Sequence, residues 1–154
     1  MVAVAKPLIQ VRGMRVDDLS AVSALENLSY EFPWSPGIFH DCIKAGHSCW
    51  VLCEGQSIAG YGILSTGAGE AHLLNLCVGP EYRGRGLGRH LLARLLDIAK
   101  WDRAERVFLE VRPSNPLAKT LYESVGFEQV GVRPRYYPAR DGREDAIVMK
   151  LEGL

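Results

Sequence analysis

The sequence predicts an α/β domain: a mixed sheet of six or seven strands with about four helices packed on its two faces. Three observations carry that expectation. Between Leu73 and Leu96 an apolar run (Leu73, Leu74, Leu76, Cys77, Val78) reads as a buried strand. Gly79 and Pro80 stop it, and Leu87, Leu91, Leu92, Leu95, Leu96 and Ala99 then recur at helical spacing. Further on, Val107, Leu109 and Val111 alternate with Phe108, Glu110 and Arg112, the period of a strand. Asn115-Pro116 and Gly126 then frame a helix, and two more strand-like runs close the chain.

At 154 residues the chain is expected to form one domain (1–154), with Met1–Pro7 a loose end. An apolar fraction of 47% and a charged fraction of 23% suit a water-soluble globular protein. The 18 basic and 18 acidic residues cancel, which argues against a general nucleic-acid binder. Cys42, Cys49, Cys53 and Cys77 show no C-x-x-C spacing, and the histidines follow no zinc pattern, so no metal and no disulfide is expected. Free thiols, no signal-like start and no run long enough to cross a bilayer point to the cytoplasm and away from membranes.

Taken in order, Leu8–Arg12 alternates as an edge strand. Asp17 or Asp18 caps a helix that carries Leu19, Val22, Leu25 and Leu28 inward. The prolines of Glu31–Pro36 break it, and Ser35 caps a second helix with Pro36 at its first position and Ile38, Phe39, Cys42 and Ile43 inside. Cys49–Glu54 and Ser57–Thr66 form a hairpin around Glu54-Gly55-Gln56, and Glu70–Val78 adds the next antiparallel strand. The glycine-rich turn leads into a helix that reaches about Trp101, and Glu105–Arg112 is a strand. The helix after Asn115 turns Leu117, Leu121 and Val125 inward and stops at Gly126. Phe127–Tyr137 and Glu144–Leu151 pair as a closing hairpin with Asp141-Gly142 in its turn.

The turn itself is chemically informative. A helix N-terminus presents unpaired N–H groups and partial positive charge, and glycines let an anion approach the backbone. Gly84, Gly86 and Gly88 sit there among Arg83, Arg85 and Arg89. A phosphate ligand is one reading; an ordinary strand-to-helix connection with a basic rim is the other. No Gly-Lys-Ser/Thr is present, and the glycine order does not fit a dinucleotide fingerprint.

Arg83, Gly86 and Gly88 match in register the acyl-CoA pyrophosphate loop of the GNAT acetyltransferases, which reads Arg or Gln, two residues, Gly, one residue, Gly or Ala. LNLCV (Leu74–Val78), LEVR (Leu109–Arg112), Ser114-Asn115, LYESVGF (Leu121–Phe127), YYP (Tyr136–Pro138) and DGREDAI (Asp141–Ile147) further resemble the RimI branch of that family. RimI enzymes acetylate the N-terminal alanine of a ribosomal protein. The similarity runs from about Val11 to Met149.

The resemblance implies a GNAT fold, acetyl-CoA as cosubstrate, a protein N-terminus as acceptor, and a monomer or weak dimer. Glu110 aligns with the general base of RimI-like enzymes, although a mid-strand Glu could equally be solvated or pair with Arg112 or a neighbouring strand. Tyr122 aligns with the general acid, although it could be a half-buried helix aromatic off the Leu117/Leu121 face. In GNAT folds the Glu70–Val78 strand splays from the Glu110 strand, which would leave amides of Leu76, Cys77 and Val78 for the thioester oxygen and pantetheine. With them, Arg83, Gly84, Arg85, Gly86, Leu87, Gly88, Arg89, Asn115 and Lys119 are the expected cofactor-binding residues.

Phe32, Trp34, Tyr136 and Tyr137 are expected to wall a peptide groove, though Phe32 and Trp34 could instead plug the core. Asn75 could orient a water or a substrate carbonyl, or simply bond across the sheet. Cys77 lacks a placed partner for nucleophilic chemistry, His72 reads as structural, and Arg133, Arg135, Arg140 and Arg143 either steer an acidic peptide or, the favoured reading, form a solvated rim. Two further functions remain open. One is transfer to a small amine, polyamine or lysine; the other is a silent acyl-CoA-binding protein, which intact Glu110 and Tyr122 disfavour.

Overall fold

The computed structural model describes residues 7–154, so all of the expected loose end except Pro7 lies outside the described residues. Seven strands and four α-helices follow in the order β1 (Ile9–Gly13), α1 (Leu19–Ser29), α2 (Pro36–Lys44), β2 (Ser48–Glu54), β3 (Ser57–Gly67), β4 (Glu70–Val78), α3 (Leu87–Trp101), β5 (Arg106–Val111), α4 (Pro116–Ser124), β6 (Glu128–Ala139) and β7 (Gly142–Glu152). Short 3₁₀ turns at Val16–Asp18 and Pro80–Tyr82 precede α1 and the glycine turn.

The strands make one sheet, ordered β1-β2-β3-β4-β5-β7-β6. Only β4 and β5 run parallel, since α3 is the crossover between them and parallel neighbours need such a connection. Central β3 is buried almost continuously because both faces are covered, while β5 alternates as its sequence does. One core holds α3 and α4 residues such as Leu91, Leu95 and Tyr122 against Leu64, Leu73 and Leu109. The opposite core holds Val22, Leu25 and Phe39 of α1 and α2 against Val51, Tyr61 and Ile63.

Two glycines of β3 set how closely the layers approach. A Cβ on Gly60 would stand 2.5 Å from the Cys77 carbonyl oxygen of β4, and a Cβ on Gly62 would overlap Leu95 of α3. The first neighbour is backbone inside a ladder and has nowhere to go.

Several inward positions are corrected. Leu28 is 68% exposed, Ile38 42% and Leu117 84%. On α1 the buried stripe runs through Val22 and Glu26 instead, and on α4 the residue turned inward is Tyr122. A carboxylate can lie inside α1 because it is fully engaged: Glu26 accepts from the Tyr61 hydroxyl at 2.6 Å, Asn75 Nδ2 at 3.0 Å and the Trp34 N–H at 2.8 Å. Asp18 is not a side-chain cap of α1. Its carboxylate takes both arms of the Arg12 guanidinium at 2.8 and 2.9 Å and the Arg15 N–H at 2.7 Å, which ties β1 to the start of the helix. Ser35 and Asn115 do cap α2 and α4 as expected, accepting from Ile38 and Ala118 N–H. The closing hairpin turns on Arg140-Asp141, with Gly142 (φ +122°) opening β7.

Gly60→Ala should therefore cost about 2–3 kcal/mol of stability by overpacking. Urea unfolding of parent and variant measures it, and a loss near zero would mean that β3 and β4 can part without penalty.

Candidate active site

The site begins where two parallel strands stop pairing. The β4–β5 ladder runs from Glu70–Arg106 to Leu73–Leu109 and ends there. Beyond it Leu74–Val78 and Glu110–Arg112 diverge as walls of a cleft of about 1150 Å³. Alternation decides which amides face the gap. The Gly79 N–H donates to Ala59 of β3, and the Cys77 carbonyl also points at β3, so Leu76 and Val78 point the other way. Their carbonyls confirm the direction: Leu76 accepts from the Tyr30 hydroxyl at 2.9 Å and Val78 from Arg83 Nε at 3.1 Å. The expected set of open amides is thereby corrected to Leu76 and Val78. Cys77 turns its thiol to the α1 core, 3.3 Å from Ser29 Oγ, and burial pushes that thiol above its usual range.

The cleft runs on to the N-terminus of α3. Gly84 and Gly86 both have φ +76°, a conformation side chains rarely adopt, and this turns the chain so that the helix starts at the cleft wall. The first helical bond is His90 N–H to the Gly86 carbonyl at 3.0 Å, and no side chain caps the helix. The Leu87, Gly88 and Arg89 N–H groups, which precede that bond, therefore have no partner among the described residues. Three free donors on a helix dipole, with open space where Cβ atoms of Gly84 and Gly86 would stand, fit the diphosphate of a coenzyme A.

Arg83, Gly84, Gly86, Leu87, Gly88 and Asn115 line the cleft. Arg85, Arg89 and Lys119 do not, because each is drawn elsewhere: Arg85 to Glu54, Arg89 to Ser124 Oγ at 2.7 Å and Lys119 to Glu123 at 3.9 Å.

Glu110 and Tyr122 line the same cleft. The Glu110 side chain is 8% exposed, with Oε2 2.5 Å from His72 Nε2 and Oε1 3.2 Å from Arg133 Nε. Burial pushes its carboxyl upward, but the His72 hydrogen bond and the charges of His72 and Arg133 outweigh that, so it sits below the ordinary carboxylate range. The partner it takes is thus not Arg112. Tyr122 packs edge-on to Phe127 at 5.7 Å, and burial pushes its phenol well above the usual value.

On the far side of the gap, Phe32, Trp34, Asn75 and Tyr137 line the cleft as expected, and Tyr136 does not. Tyr136 lies edge-on behind Tyr137, with ring centroids 4.8 Å apart. Trp34 satisfies both readings: it packs on Phe39 at 5.3 Å and still faces the cleft. Asn75 bonds across to Glu26, which takes one of its two amide N–H donors.

The sequence reading missed Glu26, Tyr30, Arg112 and Glu144. Arg112 stacks 4.2 Å from the Tyr137 ring centroid and 5.7 Å from that of Phe32. Its guanidinium meets Glu144 at 3.1 Å, and Glu144 in turn accepts from the Ser114 N–H and hydroxyl at 2.9 Å each. One signal for Glu26 was legible: it lies four residues after Val22, on the apolar stripe of α1.

Comparison with known proteins agrees with this geometry. The acetyltransferase (GNAT) family pattern matches residues 15–127. The ribosomal protein bS18-alanine N-acetyltransferase of Escherichia coli K12 is 38% identical over 141 residues, covering 92% of this chain and 95% of that one. That of Haemophilus ducreyi is 35% identical over 135 residues, covering 87% and 93%. The crystal structure of the Escherichia coli ribosomal-protein-S18-alanine N-acetyltransferase superposes with a TM-score of 0.88 at 36% identity, covering 94% of each chain. An uncapped helix at the mouth of a split sheet, and similarity along nearly the whole chain, lead to one conclusion: the chain belongs to the GNAT family and is an acetyl-CoA-dependent N-acetyltransferase of the RimI type.

Proposed function

We propose that this enzyme acetylates the N-terminal α-amine of a protein, with the N-terminal alanine of ribosomal protein bS18 as its acceptor, by direct transfer with Glu110 as general base and Tyr122 as general acid. The observation that carries the reading is convergence: the α3 N-terminus, the Leu76 and Val78 amides, Glu110 and Tyr122 all open on one cleft. Acetyl-CoA supplies the activated acyl group. Its diphosphate would rest on the Leu87, Gly88 and Arg89 amides, with Arg83 alongside.

Each residue's task follows from its surroundings. The Leu76 and Val78 N–H groups, fixed at the end of a strand, are placed to meet negative charge developing on the thioester oxygen. Glu110 is ionised at neutral pH. A carboxylate held below its ordinary range is a poor sink for the proton of a free ammonium group. It becomes effective once the nitrogen has begun to bond to carbon, because that nitrogen is far more acidic. Tyr122 stays protonated. Full transfer from a phenol of pKa ~10 to a thiolate of pKa ~8.5 is uphill by about 2 kcal/mol before burial adds to it, so its work is a hydrogen bond to the departing sulfur.

A weak base also bears on the acceptor. At pH 7 about one α-amine in ten is neutral, against on the order of one lysine in two thousand. An enzyme whose carboxylate is held ionised is suited to the amine that is already partly free. Nor, among the described residues, does the acceptor side offer an acidic pocket for a polyamine. Glu26 is hydrogen-bonded on all sides, Glu31 pairs with Arg140 and Glu144 pairs with Arg112. Phe32, Trp34 and Tyr137 instead provide flat walls for an extended chain.

A panel of peptides beginning with alanine, serine or methionine, a lysine peptide and spermidine, each offered with acetyl-CoA, tests the acceptor. The peptide that carries the alanine start of bS18 should be acetylated fastest, and equal rates on spermidine would remove the N-terminal reading. Glu110→Gln should lower kcat by about 10²–10⁴-fold near neutral pH without weakening acetyl-CoA binding. Turnover equal to the parent's would exclude Glu110 as base. Tyr122→Phe should slow the release of coenzyme A thiol by about tenfold or more, read with a thiol reagent; an unchanged rate would take the acid role from Tyr122.

A further inference from the structure

Glu110 is a wall shared by two cavities. The cleft lies on one side; on the other is a smaller cavity of about 370 Å³ lined by Ser65, Thr66, Glu70, His72, Arg133 and Val148. The carboxylate is nearly sealed at 8% exposure, whereas the His72 side chain is 36% exposed and opens on the second cavity. Between them, Nε2 of His72 lies 2.5 Å from Oε2 of Glu110. An ionised carboxylate can only accept, so Nε2 carries the hydrogen of this bond, and Nδ1 has no hydrogen-bond partner among the described residues.

We propose that His72 is a positioning residue of the base: its Nε2–H fixes one carboxylate oxygen, and its charge, exchanged with solvent through the second cavity, sets the proton affinity of Glu110 and hence the pH below which acetyl transfer slows. The inference rests on Glu110 being the base.

An imidazolium against a carboxylate favours the ionised form and makes that oxygen a weaker proton acceptor. Neutral imidazole keeps the hydrogen bond but withdraws the charge, which strengthens the base. The other groups facing His72 do not switch in the same window. Arg133, from β6, is permanently charged. Glu70, on β4 itself, is paired with Arg106 at 3.4 Å. Ser65 and Thr66 of β3 and Val148 of β7 carry no charge. In this set histidine is the side chain whose ordinary chemistry changes charge between pH 5 and 8. No bond to carbon or sulfur changes at His72; a proton is exchanged with water at Nδ1.

The test compares kcat of the parent and of His72→Gln from pH 5.5 to 8.5, with acetyl-CoA and an alanine-starting peptide saturating. Glutamine can still donate a hydrogen bond but cannot ionise. Loss of the neutral amine lowers both rates on the acid side, so the parent should fall more steeply than the variant, the two profiles parting by about tenfold or more between pH 8.5 and 5.5. Superimposable profiles would overturn the proposal.

A second readout needs no turnover. The ring ¹⁵N signals of His72 should change in Glu110→Gln, and identical signals would mean that the pair does not exist in solution, again overturning it. Where His72→Gln fails to fold, His72→Asn takes its place in the pH series. The two readings separate cleanly. A fully active Glu110→Gln removes the base itself, whereas an inactive Glu110→Gln with unchanged His72 profiles removes only the role given to His72.

Discussion

The functional architecture depends on the failure of one ladder. β4 and β5 pair for four residues each and then part, although both continue as strands. Backbone donors in a protein interior normally find partners. Here the Leu76 and Val78 amides are left facing a cleft, and the same divergence opens the space beside Glu110. The rest of the fold holds that split open. α3 crosses over the sheet to make β4 and β5 parallel, the two β3 glycines let β4 and α3 seat close to the sheet, and α4 brings Tyr122 to the gap from the α3 side.

Polar groups secure the opposite rim. Glu26 binds α1 to β3 through Tyr61, to β4 through Asn75 and to the α1–α2 loop through the Trp34 N–H. Removing one partner of such a buried charge is more costly than the bond's net worth, because the charge stays desolvated. Arg112, Glu144 and Ser114 form the matching knot at the end of β5, with Tyr137 stacked on the guanidinium. The two knots hold the aromatic walls of the acceptor side in place while each still lines the cleft. This explains why the carboxylates in the cleft do not form an acidic pocket: apart from Glu110, they are spent on structure. Glu110 itself is held ionised by His72 and Arg133, so it stands ready without a proton to lose.

The order and type of almost every element were legible in the chain because they rest on local rules. Period-two alternation gave β5 its two faces, Ser35-Pro36 and Asn115-Pro116 marked helix starts, and the spacing from Leu87 to Ala99 gave α3 its buried stripe. Errors arose where a stripe could be drawn in two ways. Leu28 and Leu117 looked like inward residues, yet the helices are rotated so that Glu26 and Tyr122 take those places. Hydrophobicity alone cannot choose such a rotation when the competing residue is polar but finds partners from distant strands.

Three features were written in contiguous residues: the glycine turn with its uncapped helix, the strand bearing Glu110, and the motifs that resemble the GNAT family. Their chemistry is local, so the chain specifies them without reference to its fold. Folding settled the rest: which amides open on the gap, which arginines leave the anion site for other partners, and that His72 reaches Glu110 across 38 residues of chain. Each of those is a pairing between segments far apart in sequence. Its outcome is set by register, by strand alternation and by competition among partners, and none of these exists until the sheet has formed.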